Sequence, residues 1–314
     1  MKYLTLGTIL SSGLVQLTTA HSHIAYVLIN GLLYPGYDPK GDVPNPDNVV
    51  GWSTSVSDDG FVPPSNYSTT DIICHRDGAP VKGHAPVRAG DKIHLQWNGW
   101  PESHHGPVLS YLAECGPASP NGTDDGCASV DKTKLSFFKI DNSSPAFVGE
   151  GDGPPGDWAT DVLISHNNSW LLEVPPTLKP GPYVLRHELI ALHYANKPDG
   201  AQNYPQCLNL WVMPPNGSNI TTGAVANIGE GQGVSAQTLY KEDDPGVEIN
   251  IYENMTTYAI PGPTVVSGAA PIPLISQAKS ISMANGTPVS ISGSTAAPFP
   301  ASAPTGTPAA RDLP

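Results

Sequence analysis

Short runs of alternating apolar and polar residues, each cut off by proline or glycine, leave this chain few ways to fold. From Lys92 to Trp97, Ile93, Leu95 and Trp97 point one way and Lys92, His94 and Gln96 the other, which is the period of a strand. Trp170 to Val174, Tyr183 to Ala191, Leu208 to Val212 and Val247 to Ile251 are similar short runs. Turn residues separate them: Pro154-Pro155-Gly156, Lys179-Pro180-Gly181-Pro182 and Pro214-Pro215-Asn216-Gly217. With 34 Pro and 32 Gly in 314 residues, long helices find no uninterrupted stretch. The expected fold is all-β: an antiparallel, immunoglobulin- or fibronectin-like β-sandwich with long loops. Loops on such a scaffold are where chemistry is placed.

Residues 1–20 read as a secretory signal. Met1-Lys2 is a short charged start, Leu4 to Leu14 is mostly apolar, and Thr18-Thr19-Ala20 is a small-residue cleavage site. Cleavage after Ala20 makes His21 the first residue of an extracellular protein. Its α-amine and imidazole together chelate a metal from one residue. No later apolar run approaches the roughly 18 residues that span a bilayer. The formal net charge of −13 makes nucleic acid and anionic membranes poor partners and favours a neutral ligand.

Secretion permits disulfides among Cys74, Cys115, Cys127 and Cys207. Three pairings are possible and the sequence does not choose. Cys115 and Cys127 flank a turn-rich loop that they could close locally, which leaves Cys74 with Cys207 as a long-range staple. No Cys-x-x-Cys pair points to zinc. Eight Asn-x-Ser/Thr sequons fit a secreted surface: Asn66, Asn121, Asn142, Asn167, Asn216, Asn219, Asn254 and Asn285. Residues 21–264 form one compositional unit. Residues 265–314 read as a disordered Ser/Thr/Pro/Ala-rich tail. It holds no Cys, Trp or Tyr, so no carbohydrate-binding module is expected there.

Two clusters carry chemistry. Ser103-His104-His105-Gly106-Pro107 presents an imidazole from a Gly-Pro turn. Arg186 to His193 puts His187, Leu189, Ala191 and His193 on one face and leads to Gly200-Ala201-Gln202-Asn203-Tyr204-Pro205-Gln206-Cys207. Gln202 and Tyr204 lie two apart and share a strand face.

These pieces, in this order, resemble the fungal lytic polysaccharide monooxygenases of auxiliary activity family nine, formerly glycoside hydrolase family sixty-one. The resemblance runs from His21 to about Pro263. It also rests on Tyr111-Leu112-Ala113, Pro180-Gly181 and Asn250-Ile251-Tyr252. It implies one copper ion held by the amine and a ring nitrogen of His21 and by His104, the first of its pair, with Tyr204 axial. Three nitrogens suit copper in both redox states. His193 and Gln202 are implied to position and protonate an oxygen species. An external electron donor would reduce the metal, with O2 or H2O2 as co-substrate. Cellulose or another β-linked glucan would be hydroxylated at C1 or C4 by a monomeric enzyme. Asn203 departs from many relatives and should point away from Tyr204. Tyr252 matches a family position and is expected to stack on sugars, with Tyr34 and Tyr37 as further candidates.

Two rival readings remain open to experiment. A hydrolytic glycosidase needs a carboxylate pair, and none of the 28 Asp and Glu stands in a recognisable motif. A non-catalytic copper- or polysaccharide-binding protein would need neither His193 nor Gln202.

Overall fold

The computed structural model describes residues 22–42, 44–45, 48–116, 125–215, 228–229 and 231–290. The signal segment, His21, sequons Asn121, Asn216 and Asn219, and everything beyond 290 lie outside the described residues.

The strands are β1 (Ile24–Ile29), β2 (Leu32–Pro35), β3 (Gly83–Arg88), β4 (Lys92–Trp97), β5 (Val108–Glu114), β6 (Phe138–Asp141), β7 (Phe147–Gly149), β8 (Asp157–Trp158), β9 (Ser169–Glu173), β10 (Gly181–Ala191), β11 (Gln202–Met213), β12 (Ala284–Asn285) and β13 (Val289–Ser290). Two short helices are α1 (Asp71–Cys74) and α2 (Ala159–Ser165). One sheet runs β12-β2-β1-β4-β9 and the other β13-β3-β11-β10-β5-β6, with β7-β8 a separate hairpin. The sandwich is as the alternation predicts, with two exceptions to antiparallel pairing: β11 with β3, and β12 with β2, run parallel.

The inner faces interdigitate. Ile93, Leu95 and Trp97 of β4, Trp170 and Leu172 of β9, Leu185 and Leu189 of β10, and Leu208 and Leu210 of β11 form one core. Each such side chain stabilises by about 1.5–3 kcal/mol on burial. A second core lies on the outer face of β10 and β11. There Trp52, Tyr67, Ile72, Ile73, Tyr240, Val247 and Ile251 from the long loops cover the sheet. The central strand β10 is thus buried on both sides, which its sequence Arg186-His187-Glu188 disguises.

The polar residues of β10 are paired inside. Arg186 makes a two-pronged ion pair with Glu188 (2.7 and 2.9 Å) and donates to the Ile72 and Ile73 carbonyls at the end of α1. Burial alone would lower the pKa of Arg186; the Glu188 carboxylate outweighs that and raises it. Tyr240 Oη also donates to Glu188. Asn203 Nδ2 donates to the same carboxylate at 2.9 Å and Asn203 Oδ1 accepts from Tyr67 at 2.7 Å. Asn203 therefore turns away from Tyr204, and it completes a buried network that its sequence gives no sign of.

The two disulfides join Cys74 to Cys207 and Cys115 to Cys127. The first ties α1 to β11 across 133 residues.

Two expectations need correction. Val247 to Ile251 is not a strand: Val247 N–H bonds to Asp244 O, and Asn250 Oδ1 accepts from Tyr252 N–H. Such local bonds compete with a ladder, although Val247 and Ile251 are buried as a strand's would be. The chain also does not leave the domain at 265. Residues 266–290 wrap the sandwich edge. Gln277 bonds both the N–H and the C=O of Leu171 on β9 (2.7 and 3.1 Å), as a neighbouring strand would. Ser280 donates to Gln96, so the outward side chain of β4 is covered. Strands β12 and β13 then cap β2 and β3. Ser/Thr/Pro/Ala composition conceals this because pairing to exposed edges uses backbone and amide groups, not apolar burial.

Candidate metal centre and substrate face

The loop from β4 to β5 carries the first cluster and is rigid for stated reasons. A Cβ on Gly106 would lie 1.8 Å from Ile190 O, so only glycine fits. Gly106 N–H bonds Thr160 Oγ1 at 3.0 Å, and Leu192 N–H bonds His105 O at 2.9 Å. Trp100 Nε1 donates to His104 O at 2.9 Å, and His104 N–H to Pro101 O at 3.0 Å.

This loop separates the adjacent histidines. His104 stacks on His193, with ring centroids 4.1 Å apart and planes 29° apart, and meets the Trp100 edge at 5.5 Å. His105 instead pairs with Asp161 (Nδ1 to Oδ2, 3.0 Å), beside an open cleft lined by Glu102 and Ser165. His193 follows the end of β10. His187, which period-two reading puts on the same face, is sealed in the core against Trp97, with Nδ1 bonded to Ser110 Oγ at 2.9 Å. Burial pushes its pKa down to about 3.

On β11, Tyr204 Oη donates to Gln202 Oε1 at 2.9 Å. Tyr204 lies against Trp100, centroids 5.0 Å apart at 84°. Burial, then the Asp58 and Asp59 carboxylates, raise the phenol pKa, so it stays protonated. His104, His193, Gln202, Tyr204 and Trp100 thus converge. Trp100 has no signal of its own in the sequence.

These side chains fit a nitrogen-bound copper ion. Ser103 Oγ engages His104 Nδ1 at 3.2 Å, so Nε2 is the nitrogen that would face a metal, as where a ligand imidazole is fixed by its other nitrogen. All four cysteines are in disulfides, so no thiolate competes. The nearby Asp58 is committed to Arg76, and Asp59 to His23 and Lys40, so neither carboxylate is placed to hold a hard cation. Among the described residues no group of three His, Cys, Asp or Glu could hold a metal alone. A copper ion here would need a further donor, and His21, expected as that donor, lies outside the described residues.

The aromatic candidates divide. Tyr252 is 50% exposed. Tyr37 is half-buried. Tyr34 is 3% exposed, a core residue of β2 with Gly286 lying on its ring, and cannot stack on a sugar. Its Tyr-Pro-Gly-Tyr setting looks like a loop, but Tyr34 pairs with Val27 of β1. Tyr194 is the exposed ring missed in the sequence. It is 53% exposed, 4.5 Å from the His193 ring, with Lys197 Nζ 5.5 Å over it. Ile249 N–H bonds Ala195 O at 2.9 Å and ties the Tyr252 segment to the Tyr194 turn. Sequons Asn167, Asn254 and Asn285 are exposed, and Asn66 and Asn142 partly so.

No helix among the described residues is long and apolar enough to cross a membrane.

Comparison with known proteins identifies the family. Auxiliary Activity family 9 (formerly GH61) matches residues 21–258. The chain is 50% identical over 253 residues to AA9 family lytic polysaccharide monooxygenase A of Malbranchea cinnamomea, covering 80% of this chain and 69% of that one. It is 46% identical over 250 residues to the enzyme of the same name from Thermoascus aurantiacus, covering 79% of this chain and 100% of that one. The solved extended catalytic domain of H. jecorina LPMO9A is similar with a TM-score of 0.71 at 46% identity, covering 86% of this chain and 100% of that chain. The chain belongs to Auxiliary Activity family 9, whose members are lytic polysaccharide monooxygenases, oxidoreductases that cleave polysaccharides oxidatively and whose chemistry implies copper, a reductant and O2 or H2O2.

Proposed function

We propose that the mature chain begins at His21, holds one copper ion between His21 and His104, and oxidises cellulose or another β-1,4-glucan at C1, C4 or both. The observation that carries this reading is the stacking of His104 on His193 beside the Tyr204–Gln202 pair. Copper, when bound, supplies the one-electron chemistry that lets O2 or H2O2 take hydrogen from the glycosidic carbon.

The protein's residues do the rest. His104 would offer its Nε2 to the copper, and Tyr204, whose phenol burial keeps protonated, would lie beside it. Gln202 Oε1 accepts from Tyr204, so its NH2 would be the donor that faces the co-substrate. His193 holds a proton within reach of the same place. Trp100 closes the cluster against water from the core side. A flat crystalline substrate lies over Tyr252 and Tyr194, whose exposed rings stack on sugars. Tyr37 contributes its exposed edge. The protein is read as secreted and monomeric, with glycans on its exposed sequons.

Mass spectrometry of soluble products from cellulose, incubated with copper and ascorbate and with each omitted, tests the reading. Oxidised cello-oligosaccharides that need both additions are expected. Unoxidised sugars released without reductant would indicate hydrolysis. Copper or cellulose binding without products would indicate the non-catalytic alternative. A chain retaining one residue before His21 should lose tight copper binding.

A further inference from the structure

Residues 22 and 23 are held more firmly than a chain end ordinarily is. Ser22 and His23 are 2% and 7% exposed. Asn98 Oδ1 accepts from both Ser22 Oγ (2.5 Å) and His23 N–H (3.0 Å). Asn98 N–H donates to His23 O at 3.1 Å. The His23 ring is fixed as well. Its Nδ1 donates to Asp59 Oδ1 at 2.9 Å, since an ionised carboxylate only accepts. With that proton committed, the 3.3 Å approach of Asn98 Nδ2 to the same nitrogen is packing.

Asp59 is itself locked. Its side chain is fully buried, its φ is +48°, and its N–H bonds Val56 O at 2.8 Å. Lys40 Nζ lies 3.1 Å from Asp59 Oδ2 and balances its charge as an ion pair. The histidine, the carboxylate and the lysine therefore stabilise each other where an unpaired buried charge would be costly.

Asn98 follows Trp97 of β4 and opens the loop that reaches His104. Trp100 of that loop donates to His104 O. One short rigid segment thus grips the start of the chain through Asn98 and the metal-ligand histidine through Trp100. Residue 21 is bonded to Ser22, whose side chain and following amide are fixed.

We propose that Asn98 is a positioning residue: by fixing Ser22 and His23 it restricts the freedom of the residue before them, and so prepares the copper ligand set before any metal arrives. This rests on the reading of His21 and His104 as copper ligands. Preorganisation of a ligand set raises affinity by removing the entropy of ordering it. Groups that orient metal ligands are typically worth about 10–100-fold in metal affinity.

The test uses the mature protein beginning at His21, with the variants Asn98→Ala, Asn98→Asp and Ser22→Ala. Cu(II) affinity is measured by chelator competition, the bound ion by electron paramagnetic resonance, and the apo protein by hydrogen exchange at the His23 amide. Asn98→Ala is expected to weaken copper binding by about tenfold or more, alter the copper spectrum and speed His23 exchange. Asn98→Asp keeps the acceptor oxygen and should recover most of the affinity. Ser22→Ala removes one contact without opening the loop and should fall between, so the proposal stays testable should Asn98→Ala fold poorly. Copper affinity within twofold of the parent and an unchanged spectrum in Ser22→Ala and in a folded Asn98→Ala would overturn the clamp and leave the copper reading standing. Failure of the parent itself to bind copper would overturn both.

Discussion

The imidazoles of His104 and His193 stack 4.1 Å apart although they come from different loops. Only one of them belongs to the expected ligand set. The stack makes His193 a neighbour of the proposed copper ligand His104 without making it a ligand itself.

His193→Ala should therefore keep copper affinity within about twofold and lower oxidised product by about 100-fold, the scale of a lost proton-transfer group. Chelator competition and product chromatography on the same preparation check both halves. Unchanged turnover would remove His193 from the mechanism.

Tyr204→Phe should cost about 1–3 kcal/mol, since it leaves the buried Gln202 Oε1 without its donor. Urea unfolding of the apo protein measures this. Oxidative turnover should fall as well, because Gln202 loses the contact that orients it.

Arg186→Met should destabilise by about 3–5 kcal/mol, because Glu188 would keep a buried charge without its partner. Arg186→Met combined with Glu188→Met should cost less than the sum of the two single changes. Thermal unfolding of the four proteins reads the coupling.

Acid should unfold the protein through two buried histidines. His187 is pushed down to about 3 by burial, and His75 to about 3 by burial and then the Arg76 charge. Unfolded histidine titrates near 6.5. Between these values the unfolded chain binds more protons, so stability rises with pH and is lost as pH falls from about 6.5 toward 3. Each histidine contributes about 1.4 kcal/mol per pH unit in that window. His187→Gln should remove one of the two contributions, seen as a flatter dependence of Tm on pH between 6 and 4.

Ending the chain at residue 264 should lower Tm by about 4 °C or more. It would strip Gln277 from Leu171, uncover Gln96 and bare the edges of β2 and β3. An unchanged Tm would show that the wrap of residues 266–290 contributes nothing to stability.

Much of this protein can be read from its order of residues. Alternation in Ile93, Leu95 and Trp97 specifies a strand with one buried face because the backbone's period is fixed. The spacing of Gln202 and Tyr204 puts them on a common face for the same reason. His104-His105-Gly106-Pro107, with the strand motifs that follow it, marks the family. Tertiary structure decided the remainder. Whether His104 or His105 meets His193 depends on how Gly106 seats against Ile190, a contact between distant segments. Tyr34 is buried and Tyr194 exposed because of what packs over each. Asn203, Arg186 and Glu188 look like solvent-facing residues until long loops close over the outer face of β10. Residues 266–290 look unstructured until they meet open sheet edges. Local sequence sets the period of each element, whereas burial and partnership are properties of the assembled layers, which no single segment contains.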